Sequence, residues 1–121
     1  MHTEVMPALS RNPQLLRRAQ FARFTFCVKS ETQARWLSVG DGDVRVLPDL
    51  AGAEPNFTLQ ARDEVWRSYA QAVPPPGYND ILAMVESGQG ELDGRDMLPF
   101  FSNIFLVKGI VAALIKGDAS W

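Results

Sequence analysis

The most constraining feature of this sequence is its last apolar segment, MLPFFSNIFLVKGIVAALIK, at residues 97–116. Its spacing predicts a helix, and at about 100° per residue the apolar side chains cover roughly 260° of the circumference. A helix over one face of a sheet usually presents an apolar stripe of about 100° or a little more. The segment therefore carries more apolar surface than a sheet alone can bury. The excess must contact other helices, a partner chain or a bound apolar molecule.

The same segment is a poor candidate for a membrane span. A spanning helix needs about 20 predominantly apolar residues. Here Pro99, Ser102, Asn103 and Lys108 interrupt the apolar residues, and a lysine near the middle of a helix is costly in hydrocarbon. We therefore expect no integral membrane span.

The bulk composition is that of a globular domain. We expect a single domain at residues 12–121, preceded by a flexible lead-in at residues 1–11. The formal net charge is −2, with scattered Lys and Arg, which argues against a nucleic-acid partner. The one cysteine, Cys27, cannot close an internal disulfide. Together with an N-terminus that lacks the pattern of a secretory signal, this predicts a cytoplasmic location, and the economy of the chain suggests a bacterial protein.

Hydrophobic periodicity predicts the secondary structure. Alternating apolar residues indicate strands at residues 24–29, 35–39, 44–47, 57–59 and 91–94. Apolar residues at helical spacing indicate helices at residues 13–23, 62–73, 81–85 and 97–116. Gly40-Asp41-Gly42-Asp43 predicts a tight hairpin turn. Strands followed by helices predict an α+β fold with a five-stranded, mainly antiparallel sheet and helices packed on one face.

Side chains that could catalyse a reaction are scarce. The single histidine is His2, in the lead-in, so a Ser-His-Asp or Cys-His arrangement has no base. Asp93 and Asp96 fit a helix cap and an arginine contact better than an acid/base pair. Metal-ligand clusters and phosphate-binding loops are absent from the sequence. We expect no enzymatic activity, no cofactor and no metal.

The apolar residues are the informative ones. Phenylalanine and methionine side chains are large, and methionine adapts to varied shapes. A mostly apolar pocket between helices and a sheet is how small hydrophobic ligands are usually held. The sequence predicts such a cleft between the sheet and the last three helices, although those helices could equally cover one another in a filled core. The expected ligand-binding residues are Trp66, Tyr69, Leu82, Met84, Met97, Phe101, Ile104 and Phe105.

Four short motifs occur in a characteristic order along the chain. They are FTFCV at residues 24–28, GDGDV at 40–44, FTL at 57–59 running into DEVW at 63–66, and GELDGRDM at 90–97 before the last helix. This order resembles the sterol carrier protein type 2 family of lipid-binding domains over roughly residues 20–117. The proline-rich segment VPPPGYND at 73–80 departs from the usual pattern. It is similar to a divergent bacterial subgroup, whose members also occur as accessory domains of α/β-hydrolase-like enzymes.

The resemblance implies an apolar ligand, such as a sterol or a fatty acyl chain, and no catalysis by the domain itself. The leading hypothesis is therefore a non-catalytic module that holds a hydrophobic small molecule in a cleft between sheet and helices. The alternative is an interaction subunit whose apolar C-terminal helix packs on a partner. That partner would be a hydrolase-like enzyme or a second copy of the chain in a homodimer.

Overall fold

A computed structural model describes residues 4–5, 13–71 and 73–117 of the chain. The elements in chain order are β1 (Glu4–Val5), α1 (Pro13–Ala19), β2 (Phe24–Lys29), β3 (Ala34–Gly40), β4 (Asp43–Leu47), β5 (Phe57–Ala61), α2 (Asp63–Tyr69), α3 (Ile81–Glu86), β6 (Gly90–Asp93), α4 (Leu98–Ser102), α5 (Ile104–Ala112) and a π-helical turn (Ala113–Gly117).

The strands form one sheet in the order β1-β4-β3-β2-β5-β6. Only β2 and β5 pair in parallel, and the other pairs are antiparallel. The predicted α+β fold with a mainly antiparallel sheet is confirmed, and β2 to β6 are the five predicted strands. The two-residue strand β1 adds a sixth at the edge, inside the predicted lead-in. The rest of that lead-in lies outside the described residues, so the domain limits stay a prediction.

The turn between β3 and β4 is the predicted hairpin. Its two central residues, Asp41 and Gly42, have φ values of 54° and 77°. Positive φ at both positions is the type I′ geometry, whose twist matches that of the flanking strands. Gly40 therefore pairs directly with Asp43, and the hairpin fixes the register of both strands.

The core lies on one face of the sheet, where aromatic rings link the strands to α4. The ring of Phe26 on β2 stacks on that of Phe57 on β5, with centroids 4.9 Å apart. The ring of Phe100 on α4 meets Phe57 edge-on at 5.4 Å. On the opposite face Cys27 is also buried, and this burial raises the pKa of its thiol. The thiol therefore behaves as a small buried apolar group.

The terminal segment was predicted as one helix, but the structure interrupts it at Asn103. This residue leaves helical geometry, with φ −124° and ψ 33°. Its side-chain amide and its backbone N–H both donate to the carbonyl of Pro99, at 3.0 and 3.1 Å. Asparagine side chains compete in this way with regular helical hydrogen bonds. Within residues 4–5, 13–71 and 73–117, no helix is long and apolar enough to cross a membrane.

A polar junction at Asn56 holds α4 against the sheet. The Asn56 side-chain oxygen accepts from the backbone N–H of Thr25 at 2.9 Å, and its amide nitrogen donates to Asp96 at 3.3 Å. The other carboxylate oxygen of Asp96 accepts from the N–H of Leu98 at 3.2 Å. Asp96 therefore organises the start of α4 from the position before the N-cap residue, which is Met97.

Gly94, between β6 and α4, passes unusually close to the backbone of β5. A Cβ atom at this position would lie 2.5 Å from the Cα atom of Phe57 and would also clash with the carbonyl oxygen of Asn56. The neighbouring strand residue Gly90 has more room, because its Cβ would lie 3.6 Å from its nearest neighbours.

We expect Gly94→Ala to lower the free energy of unfolding by about 2 kcal/mol or more, since backbone atoms cannot move aside cheaply. Gly90→Ala should change it by less than about 1 kcal/mol. Urea denaturation of the two variants measures the difference. Equal effects would show that Gly94 is not a point of close approach.

Candidate apolar binding site

The helix pair α4–α5 and the following π-helical turn have two apolar sides. One side is buried in the core and consists of Phe100, Leu106, Val107, Ile110, Val111, Leu114 and Ile115. The other side carries Leu98, Phe101 and Phe105, which are 69%, 59% and 64% exposed. We call these three residues the exposed strip. Leu98 and Phe101 are three residues apart on α4 and so lie on one face of that helix, and Phe105 follows on α5 after the break at Asn103. The surplus apolar surface inferred from the sequence is therefore present, and it faces solvent.

The rings of the exposed strip have defined neighbours. Phe101 meets the buried ring of Phe100 edge-on at 5.1 Å. Phe105 has the guanidinium of Arg18 over its ring, with the central carbon 5.3 Å from the ring centroid, and the amine of Lys108 lies 5.9 Å away. Helix α1, which carries Arg18, contacts α5. Cations therefore border the apolar strip.

Beneath the terminal segment, α2 contributes two aromatic residues to the interior. Trp66 and Tyr69 are both almost completely buried, and their rings meet edge-on at 5.7 Å. The indole N–H of Trp66 donates to the carbonyl of Lys29 at 3.1 Å. Burial and the nearby carboxylate of Asp80 raise the pKa of Tyr69 well above its ordinary value, so the phenol stays protonated at neutral pH. The amine of Lys116 lies 4.4 Å from the centre of the Tyr69 ring.

The start of α2 is fixed by the loop between β2 and β3. The Thr32 hydroxyl contacts both carboxylate oxygens of Asp63, at 3.0 and 2.8 Å. The backbone N–H of Asp63 donates to Glu31 at 2.7 Å. Hydrogen bonds from Ser30 and Thr32 lower the pKa of Asp63. These contacts anchor the helix that holds Trp66 and Tyr69.

Helix α3 is capped and connected to α5 by Asp80. One carboxylate oxygen of Asp80 accepts from the N–H of Ala83 at 2.8 Å, and the other lies 3.5 Å from the amine of Lys108. The sequence alone favours Asn79 or Gly77 as the cap of this helix, and that prediction is wrong. Asp80 has the extended backbone of an N-cap residue, and it lies directly before the first helical residue.

The eight predicted ligand-binding residues occupy three depths. Trp66, Tyr69 and Met84 are buried, whereas Phe101 and Phe105 are exposed. The remaining three, Leu82, Met97 and Ile104, are half-buried and pack against the core. Sequence reasoning missed Leu98, although its place three residues before Phe101 assigns it to the same line of the helix.

The apolar crevice beside the buried members is narrow. It is lined in part by Trp66, Ile81, Met84 and Val85 and has no room for a water-sized molecule, so it is much smaller than a typical ligand pocket. Around these four residues the interior is therefore filled by side chains. Entry of a ligand would require the helices to move away from the sheet.

A larger groove of about 550 Å³ is lined mainly by polar and charged residues near the start of β2 and the end of β3. Arg23 lines it and forms an ion pair with Asp41 at 2.7 Å. Residues 4–5, 13–71 and 73–117 contain no group of three potential metal ligands. The groove does not have the apolar lining that a hydrophobic ligand would need.

Comparison with known proteins identifies the class of fold. No family model and no curated protein matches the sequence. Among solved structures, UbiJ-SCP2, a ubiquinone synthesis protein, is similar with a TM-score of 0.56 and 21% identity, over 96% of this chain and 88% of its own. TT1886 from Thermus thermophilus, a conserved hypothetical protein suggested to be a sterol carrier protein, has a TM-score of 0.56 and 15% identity, over 95% and 85% of the two chains.

The chain therefore has the sterol carrier protein type 2-like fold that its motifs suggested. A further similar structure is the stereoselective inverting sec-alkylsulfatase Pisa1 from Pseudomonas sp., with a TM-score of 0.50 and 17% identity. That match covers 75% of this chain but only 14% of the alkylsulfatase. The corresponding fold is thus one small part of a much longer protein.

We expect Asp80→Ala to lower the free energy of unfolding by about 1–2 kcal/mol, since it removes both the cap of α3 and the ion pair with Lys108. Asp80→Asn keeps a capping oxygen and loses only the partly exposed ion pair, so its cost should be about 0.5 kcal/mol. Thermal unfolding of both variants measures the difference. If they cost the same, the cap contributes nothing.

Asp63 should stabilise the fold in a pH-dependent way. Its pKa is lowered in the folded protein, so its contribution is present above the unfolded value of about 3.9 and is lost as pH falls through the lowered folded value. We expect the stability advantage of wild type over Asp63→Asn to decrease in this acidic range. Urea denaturation across pH tests this. Thr32→Val should remove part of the same dependence, whereas Thr58→Val on β5 should leave it intact.

Proposed function

We propose that this protein is a non-catalytic module that binds an apolar small molecule, such as a lipid, a sterol or another hydrophobic compound. The observation that carries the proposal is the two-sided terminal segment: the helices that close the core also present Leu98, Phe101 and Phe105 to solvent. Support also comes from the fold, since one similar structure has been suggested to be a sterol carrier protein.

In this proposal the ligand binds where the buried and exposed sides of the terminal segment meet. Met97 and Ile104 lie at that boundary and are half-buried. Phe101 and Phe105 would form the entrance of the site, with Leu82 on the facing side. The inner end would consist of Trp66, Tyr69 and Met84.

Binding of the ligand would separate α4 from the core, with the break at Asn103 as the hinge. Each 100 Å² of apolar surface removed from water contributes about 2.5 kcal/mol, from which the cost of ordering is subtracted.

The proposed role involves no catalysis. The carboxylate of Asp96 is engaged by Asn56 and by the backbone of Leu98, and Asp93 accepts from the N–H of Gly94 at 2.8 Å. Both acids therefore act in local structure, and residues 13–71 and 73–117 contain no histidine that could serve as a base. The buried thiol of Cys27 fits a reducing compartment, so we extend the proposal to a cytoplasmic location.

Titration with a fluorescent fatty acid and a fluorescent sterol tests the proposal. We expect saturable binding of at least one probe, weakened about tenfold by Met97→Gln or Ile104→Gln, because each introduces a polar group into the boundary region. Val46→Gln is the matched control, since Val46 is also half-buried against the core but lies on β4. Absence of saturable binding overturns the proposal. An equal loss in the control variant overturns the assigned position of the site.

The second candidate function is an accessory domain that acts beside an enzyme. It is favoured by the similarity to one part of the alkylsulfatase Pisa1, an enzyme that contains a related fold within a longer chain. In that case the exposed strip would contact the enzyme. Light scattering and mass spectrometry of protein purified from cells separate the two candidates: a monomer that carries lipid supports the first, and a stable complex without lipid supports the second.

A further inference from the structure

Charge is distributed unevenly around the exposed strip. The whole chain has 14 acidic and 12 basic residues. Residues 13–23 and 97–117 nevertheless contain no Asp or Glu, and they contain five cations. These are Arg17, Arg18, Arg23, Lys108 and Lys116. The helices that carry Arg18 and Lys108 are neighbours, because α1 contacts α5.

The cations and the apolar side chains are interleaved. Arg18 lies over the ring of Phe105, and Phe21, three residues further along, is 91% exposed. Arg17 is also exposed. Two of the five cations are partly neutralised, since Lys108 pairs with Asp80 and Arg23 with Asp41. Within the described part of the chain, the two α1 arginines form no such ion pair. Positive charge therefore remains at the Phe105 end of the strip, whereas the carboxylate of Asp96 lies at the Leu98 end.

We propose that this surface docks on an anionic lipid bilayer. Leu98, Phe101 and Phe105 are all exposed on two consecutive short helices, so they can enter the interface together when the helix pair lies along the membrane surface. Long arginine and lysine side chains reach from such a position to lipid phosphates. Negative charge on the lipid complements the border that Arg17 and Arg18 provide. The proposal does not depend on the ligand-binding function.

A second copy of the chain is a poorer occupant of the same surface. A two-fold symmetric contact would place the strip of one copy on the strip of the other. The cations beside Phe105 from both copies would then be brought into one interface, and like charges in an interface oppose association. An anionic bilayer would bury the apolar side chains of the strip and also pair with the cations beside it. Self-association would bury only the apolar side chains.

Co-sedimentation with phosphatidylcholine vesicles, with and without phosphatidylglycerol, tests the docking proposal. We expect binding to the anionic vesicles that weakens at high ionic strength. Arg17→Gln with Arg18→Gln should lower the partition coefficient about 25-fold, at about fivefold per cation. Phe101→Ser with Phe105→Ser should lower it at least about tenfold. Circular dichroism verifies that every variant is folded.

The control variants make similar changes in charge and apolarity at surface positions outside the strip. Arg62→Gln with Arg67→Gln removes two exposed charges at α2, and Val73→Ser removes an apolar side chain that is 85% exposed outside the strip. These controls should bind the anionic vesicles nearly as wild type does. Equal losses in controls and strip variants overturn the proposal, as does wild-type protein that stays in solution with anionic vesicles.

Two further measurements separate this proposal from its rivals. A dimer in light scattering that Phe101→Ser with Phe105→Ser converts to a monomer would overturn docking on lipid in favour of self-association. The same preparations are titrated with the fluorescent probes. For the wild-type protein, absence of vesicle binding with intact probe binding overturns docking alone, and vesicle binding without probe binding overturns only the ligand-binding function.

Discussion

The stack of Phe26 on Phe57 is the interaction on which the rest of the structure depends. It lies across the β2–β5 pair, the one parallel pairing of the sheet. The ring of Phe100 meets Phe57 edge-on and so fixes α4 over this point. Because successive helical residues point about 100° apart, a Phe100 that faces the sheet directs Phe101 away from it. The position of the exposed strip therefore follows from the aromatic stack.

The two-sided terminal segment is the feature on which both proposals rest. Burial of Phe100, Val107 and Ile110 closes the core. The same helices leave Phe101 and Phe105 in water, and folding does not remove the unfavourable free energy of hydrating these side chains. Contact with a bound lipid or a bilayer would remove it by covering the two rings. Both proposals are compatible with a single activity, since a protein that carries an apolar molecule must reach the phase in which that molecule dissolves.

Local patterns predicted the strands, the hairpin and the surplus of apolar surface. Alternation in β2 and the Asp41-Gly42 turn depend only on neighbouring residues, so they could be read directly. The cap at Asp80 and the break at Asn103 were missed or misplaced because several nearby residues can make the same short-range hydrogen bond. The close approach of Gly94 to Phe57 could not be predicted from the sequence, since these residues are far apart along the chain.

The sequence by itself determined the period of each element, the α+β class and the excess of apolar side chains at residues 97–116, because these are properties of chemical pattern along the chain. Only the tertiary structure decided that β5 pairs in parallel with β2 and that Phe100 turns inward while Phe101 and Phe105 turn outward. It also decided that arginines of α1 border the exposed strip. These features depend on contacts between segments distant in sequence, whose geometry is set by packing the whole core at once.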